Sequence, residues 1–223
     1  MVLEPLVFMG GTFDPIHVGH LRMAIELTEA LKVSGLTLLP AADPPLRETP
    51  RVPAAKRAHM VELAIEAIPL LRCDRRELGR SGPSYSIDTV IQWREQLGLQ
   101  RPLVMAIGAD AFARFDQWHR WREFIDYCHI VVMARGGFAM PTGEPLHSWW
   151  CQHQGTLSGM WNAPAGSIAV HEGRLLEISA TDIRARIRAK QSIHALVPSK
   201  VENYIGQHAL YKETGETNLR QHN

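Results

Sequence analysis

Residues 10–20 read GGTFDPIHVGH, a stretch that gathers three glycines, an aspartate, a proline and two histidines. His17 and His20 stand three positions apart, a spacing that puts both on one face of a helix. Two imidazoles so placed could donate hydrogen bonds to a single phosphate group. Gly10 and Gly11 would let the backbone approach a ligand closely. The short apolar run LVFM (6–9) before them reads as a buried strand. A strand that feeds a glycine turn opening a helix points free N–H groups and the positive helix end into one space, which is an anion site. The pattern is neither GxGxxG nor GxxxxGK[ST], so it is not a dinucleotide fingerprint or a Walker loop. Two blander readings stand beside it. One is a tight turn with capping or half-buried histidines. The other is a metal pair, although no carboxylate or third histidine stands nearby to complete a site.

The elements that would carry these residues follow from the apolar pattern. From Val18 to about Lys32 the apolar positions recur at helical spacing, and LTLLP (36–40) is a second short run ended by proline. ADPPLRETPRVP (42–53) reads as a loop, 54–68 as a helix, 70–74 as a strand and 76–86 as another loop. Ile87, Val90, Ile91, Arg94 and Leu97 share one helical stripe. PLVMAIG (102–108) and HIVVMAR (129–135) are strands stopped by glycine, RLLEI (174–178) looks like another strand, and 198–207 looks helical. SATDIRARIRAK lies between those last two, with Ser179 or Thr181 placed to cap a helix. Continuous apolar strands alternating with helices predict an α/β, doubly wound parallel sheet. Ligands of such sheets bind at the carboxyl ends of the strands, near the topological switch. Gly10-Gly11, Gly108-Asp110 and Arg135-Gly136 fall there. The expected organisation is one domain over 1–211, with an irregular insertion at 138–167, a small C-terminal helical portion at 179–211 and a disordered polar tail at 212–223.

Composition limits the function. The 223 residues are 45% hydrophobic and 21% charged with a net charge of +1, so no basic footprint for long nucleic acid exists. Three cysteines without a CxxC pair fit reduced thiols rather than a disulfide framework. No segment approaches a membrane span, and the first residues do not read as a signal peptide. The expectation is a soluble cytoplasmic protein with small-molecule partners, no nucleic acid and no membrane.

GGTFDPIHVGH is similar to the GxFDPxHxGH signature of the nucleotidyltransferase superfamily, and ISATDIR (178–184) resembles its second signature, ISSTxIR. Across nearly its whole length the chain resembles the bacterial nicotinate-nucleotide adenylyltransferases. The matching pieces include KRAHMVELAI (56–65), RELGRSGPSYSIDTV (76–90), IGAD (107–110), FDQWHRW (115–121), VVMARGG (131–137) and YIGQHALY (204–211). The resemblance implies a Rossmann-like nucleotidyltransferase fold. It also implies adenylyl transfer from ATP to nicotinate mononucleotide, giving nicotinate adenine dinucleotide and pyrophosphate, with Mg²⁺ accompanying ATP.

The same resemblance implies roles for particular residues. His17, His20 and Arg184 would be catalytic, with His20 at the α-phosphate and Arg184 on the pyrophosphate side. Gly10, Gly11, Thr12, Phe13, Gly108, Asp110, Ser179, Thr181 and Ile183 would bind ATP. Arg47, Ser84, Tyr85, Ser86, Trp118 and Arg135 would bind the mononucleotide, and no protein metal ligand is expected. Each keeps an alternative. Trp118 suits core packing as well as stacking on a pyridine ring. Ser84 to Ser86 suit a helix cap, Asp110 an N-cap, Arg135 a solvated surface. Asp14 is read as ordering the glycine turn, and His59 and His129 as structural. The family usually reads PPHK or PPHR where this chain has PPLR (44–47), so Leu46 replaces a polar contact. HSWWCQH (147–153) contains three zinc-ligand types but lacks a standard spacing, and reads as surface. Two other functions compete: transfer to nicotinamide mononucleotide or another phosphate, and a nucleotide sensor without catalysis.

Overall fold

The computed structural model describes residues 4–46, 49–80, 82–134, 137–174 and 176–212. Arg47, Arg135 and the tail from residue 213 therefore lie outside the described residues. The elements are β1 (Leu6–Gly11), α1 (Val18–Leu31), β2 (Leu36–Pro40), α2 (Ala54–Ile65), β3 (Leu71–Cys73), α3 (Ser86–Leu97), β4 (Leu103–Gly108), α4 (Ala109–Phe112), α5 (Phe124–Tyr127), β5 (His129–Ala134), α6 (Leu146–His153), β6 (Ile168–Glu172), α7 (Ala180–Arg188) and α8 (Ser199–Gln207).

The six strands form one sheet in the order β3-β2-β1-β4-β5-β6, and every neighbouring pair is parallel. The chain winds outward from β1 to β3, then returns to the middle and winds the other way. Right-handed crossovers in opposite directions put their helices on opposite faces. The core divides accordingly. Alternate strand residues Val7, Met9, Leu38, Val104 and Met133 pack with Leu27 of α1, Val61 of α2, Ile183 of α7 and Val201 of α8. Their neighbours Phe8, Leu39, Met105 and Val132 pack on the other face with Trp93 of α3, Phe124 of α5 and Trp150 of α6. Side chains of consecutive strand residues point to opposite faces, so a strand covered on both sides must be apolar at nearly every position. That is why these strands read as continuous runs.

Three expectations are corrected. The described residues of RLLEI (174 and 176–178) form no strand: the sixth strand is Ile168–Glu172, which pairs with Ile130–Ala134. It occupies the sheet edge, so its second half is partly exposed and its apolar run is short, whereas Leu176 of the expected strand is exposed. The stretch 138–167 is not an irregular insertion but most of the β5-to-β6 crossover. Two parallel neighbours need such a connection, and this one contains α6, with Trp149 and Trp150 buried. Finally, α2 stops at Ile65, three residues before the expected end. Pro69 disfavours helical geometry at Ile68, and Ile68 N–H instead closes a turn on the Ile65 carbonyl (2.7 Å).

Candidate active site

The site begins where two central strands part. β1 runs beside β4 only from Leu6↔Leu103 to Met9↔Ala106, but stays with β2 as far as Gly11↔Pro40. Gly108 stays paired with Met133 of β5. A crevice therefore opens between Gly10-Gly11 and Gly108 at the switch point of the sheet. An added Cβ on Gly10 would meet no atom within 4 Å, so that backbone faces open space. Gly11 is close to Phe13 instead: a Cβ there would lie 2.9 Å from the Phe13 ring. Phe13 has a left-handed backbone (φ 47°), uncommon for a bulky residue, and its ring meets that of His20 edge-on at 5.1 Å.

α1 opens over this crevice. His17 is its N-cap, and the His17 and His20 rings stack 3.6 Å apart. The His17 backbone N–H donates to His20 Nδ1 (3.3 Å). That bond places the proton of a neutral His20 ring on Nε2, which becomes the donor nitrogen. His17 is buried, and burial lowers its pKa to about 4, so the ring is neutral near pH 7. Among the described residues its buried Nδ1 has no hydrogen-bond partner. Gly19 makes the stack fit, because a Cβ there would lie 3.0 Å from His17 Nδ1 and 3.1 Å from Cε1.

The second signature folds onto the first. The same Cβ on Gly19 would stand 3.8 Å from Ile178 Cβ. Ser179 caps α7 by accepting from Asp182 N–H (3.1 Å). Arg184, one turn in, donates to the Asp14 carbonyl (2.7 Å) and to Thr181 Oγ1 (3.2 Å). Ile183 faces the core, so only its backbone can meet a ligand. Asp14 orders the glycine turn: its buried carboxylate accepts from Arg51 N–H (3.1 Å) and from the Tyr211 hydroxyl (2.7 Å).

On the far side of the crevice Asp110 is not an N-cap; Gly108 is, and the Asp110 carboxylate folds back so closely that a Cβ on Gly108 would come 2.6 Å from it. Ser84 does not cap α3 either. Its hydroxyl accepts from the N–H groups of Ala42 (3.1 Å) and Asp43 (3.0 Å), tying the loop after β2 to the loop before α3. The N-cap of α3 is Tyr85, without a side-chain cap bond. The Tyr85 ring packs on His119 with centroids 4.3 Å apart and the planes tilted by 31°, so the SYS loop and the WHRW turn come together. Trp118, next to His119, is half-buried against Phe115 and Phe124.

The profile of the Cytidylyltransferase-like family matches residues 8–186. A Cellvibrio japonicus protein named "Probable nicotinate-nucleotide adenylyltransferase" is 44% identical over 207 residues, covering 93% of this chain and 98% of its own. A Pseudomonas aeruginosa protein of the same name is 43% identical over 203 residues, covering 91% and 95%. The chain belongs to the nicotinate-nucleotide adenylyltransferase family. A solved structure of Plasmodium falciparum nicotinic acid mononucleotide adenylyltransferase complexed with NaAD aligns with TM-score 0.71 over 93% of this chain and 97% of that one. At 15% identity, it shows the shared fold.

One further residue, not singled out by the sequence patterns, ties the loops of this adenylyltransferase together. Arg57, fully buried in α2, donates from Nε to the Val52 carbonyl (2.9 Å), from Nη1 to Thr12 (2.5 Å) and from Nη2 to Ala42 (2.9 Å). Burial lowers its pKa, and the nearby Asp14 charge opposes that shift. One guanidinium thus joins the glycine turn to both ends of the loop after β2. The only signal was an arginine among the apolar positions of KRAHMVELAI. His129 is structural, bonding the Ala163 carbonyl (2.9 Å) and Ser167 N–H (3.1 Å), while His59 pairs with Glu62 on the α2 surface (3.5 Å). In α6, Cys151 Sγ meets His147 Nε2 at 3.7 Å. Leu46 is exposed, with no polar atom to replace the usual histidine.

Proposed function

We infer that this chain transfers the adenylyl group of ATP to nicotinate mononucleotide, releasing pyrophosphate and forming nicotinate adenine dinucleotide, a step in making NAD. The observation that supports it best is the meeting of both signatures over one crevice: Ile178 beside Gly19, and Arg184 on the Asp14 carbonyl. In the proposed reaction a phosphate oxygen of the mononucleotide attacks the α-phosphorus of ATP in line, and the bond to the β-phosphate oxygen breaks. No covalent enzyme intermediate forms. Catalysis then rests on positioning and on donors aimed at the spreading negative charge.

His20 would donate from Nε2 to the α-phosphate, and neutral His17 would donate to a neighbouring phosphate oxygen. Arg184, with Ser179 and Thr181 at the start of α7, would hold the departing pyrophosphate. Gly10 and Gly11 would let the ATP phosphates approach the backbone, Asp110 would accept from the adenosine ribose, and Tyr85, Ser86 and Trp118 would meet the nicotinate end. Arg47 and Arg135 remain candidates for the acceptor phosphate. Mg²⁺ would accompany ATP, held largely by its phosphates, where it neutralises their charge.

The test is pyrophosphate release from ATP and Mg²⁺ with nicotinate or nicotinamide mononucleotide, run beside His20→Ala. Release should be faster with the acid, and the variant should lose about a hundredfold or more in kcat. Equal rates with both acceptors would remove the acid preference. No release with either, while ATP still binds, would favour the sensor.

A further inference from the structure

The catalytic guanidinium does not stand alone. Arg184 rests on the carbonyl oxygen of Asp14, whose carboxylate is buried and accepts from both Tyr211 and Arg51. Tyr211 follows α8, just beyond the turn in which Leu210 N–H bonds the Ile205 carbonyl (3.0 Å). It is only 6% exposed and has a left-handed backbone (φ 64°). A bulky residue keeps such a conformation only where its surroundings over-determine it, and such positions cluster at functional sites. Here the outcome is a phenol inserted beneath the glycine turn. Burial, and then the Asp14 charge, push its pKa up, so the hydroxyl stays a donor at any working pH.

We propose that Tyr211 is a positioning residue for adenylyl transfer, holding Asp14 so that the Asp14 carbonyl sets the direction of the Arg184 guanidinium. The proposal rests on the reading that Arg184 engages the departing pyrophosphate. A phenylalanine would fill the same space but leave a buried carboxylate oxygen without its donor. Asp14 would then turn to find another partner, and its carbonyl would turn with it. The Arg57 guanidinium, which holds the neighbouring Thr12 carbonyl, limits how far the turn can move, so the effect should be a misdirected arginine and not an unravelled loop.

The test is Tyr211→Phe, alone and combined with Arg184→Ala, with circular dichroism to establish folding. Tyr211→Phe should lower kcat about tenfold and weaken pyrophosphate binding several-fold, with little change in KM for nicotinate mononucleotide. In the Arg184→Ala background it should have almost no further effect, because the group it directs is gone. A purely structural tyrosine would give equal losses in both backgrounds, or would lower stability while leaving kcat and pyrophosphate affinity unchanged; either result overturns the proposal. Should Tyr211→Phe melt near the assay temperature, calorimetric titration with pyrophosphate in the cold reads the same defect without turnover. A wild-type chain inactive with every acceptor would overturn the family reaction and this proposal together. An active wild type with an unaffected Tyr211→Phe overturns this proposal alone.

Discussion

His17 carries a cost that depends on pH. Its ring takes up a proton near 6.5 when unfolded but only near 4 when buried in the fold. Above about 6.5 the difference contributes nothing. As pH falls through that window the unfolded chain binds the proton first, and stability drops by about 3 kcal/mol by pH 4. Urea unfolding of wild type and His17→Asn between pH 7 and pH 4 checks this, since the gap between their pH dependences isolates the ring from His129, whose pKa burial also lowers. Gly19 makes a contrasting prediction. Gly19→Ala gains helix propensity, about 1 kcal/mol at most, but its methyl would press on the His17 ring. Stability should hardly fall while kcat drops about tenfold, read by melting and kinetics on one preparation. The spacing of His17, Gly19 and His20 was legible in the sequence because it lies within one turn. The Nδ1 left without a partner was not, since that depends on what the fold brings around it.

Elements were legible to the degree that their residues face the core on a regular period. β2 matches its expected bounds, and α1 and α8 differ from theirs by a residue. The α6 helix was hidden because 138–167 mixes proline, glycine and serine with no clear period, although Trp149 and Trp150 within it carry the packing. β6 was hidden because an edge strand buries less than a central one. Arg57 was invisible for a different reason: its three acceptors are backbone carbonyls, and carbonyls have no sequence. Arg57→Met keeps the volume but leaves those carbonyls without donors. It should cost about 3 kcal/mol or more in chemical denaturation, with activity falling further than the unfolded fraction explains, because the Thr12 and Ala42 segments lose their common anchor.

At the scale of the molecule, the two-faced core sorts the cysteines. Cys128 is fully buried, Cys73 is half-buried with its thiol pushed up to about 12 mainly by burial, and Cys151 is exposed on α6. A thiol reagent at pH 8 should modify one group per native chain quickly and the other two only on unfolding. Fast modification of two would mean that the α2 face opens readily.

The hydrogen bond between Tyr211 and Asp14 joins residues 197 positions apart. During synthesis the glycine turn, both histidines and Arg184 all leave the ribosome before the phenol does. A chain stopped short of residue 211 would carry both signatures and could form much of the sheet, yet its arginine would lack direction. If Tyr211 positions Arg184 as proposed, full activity would wait until residue 211 has been made and folded back, so that a chain ending before it would not consume ATP at the full rate.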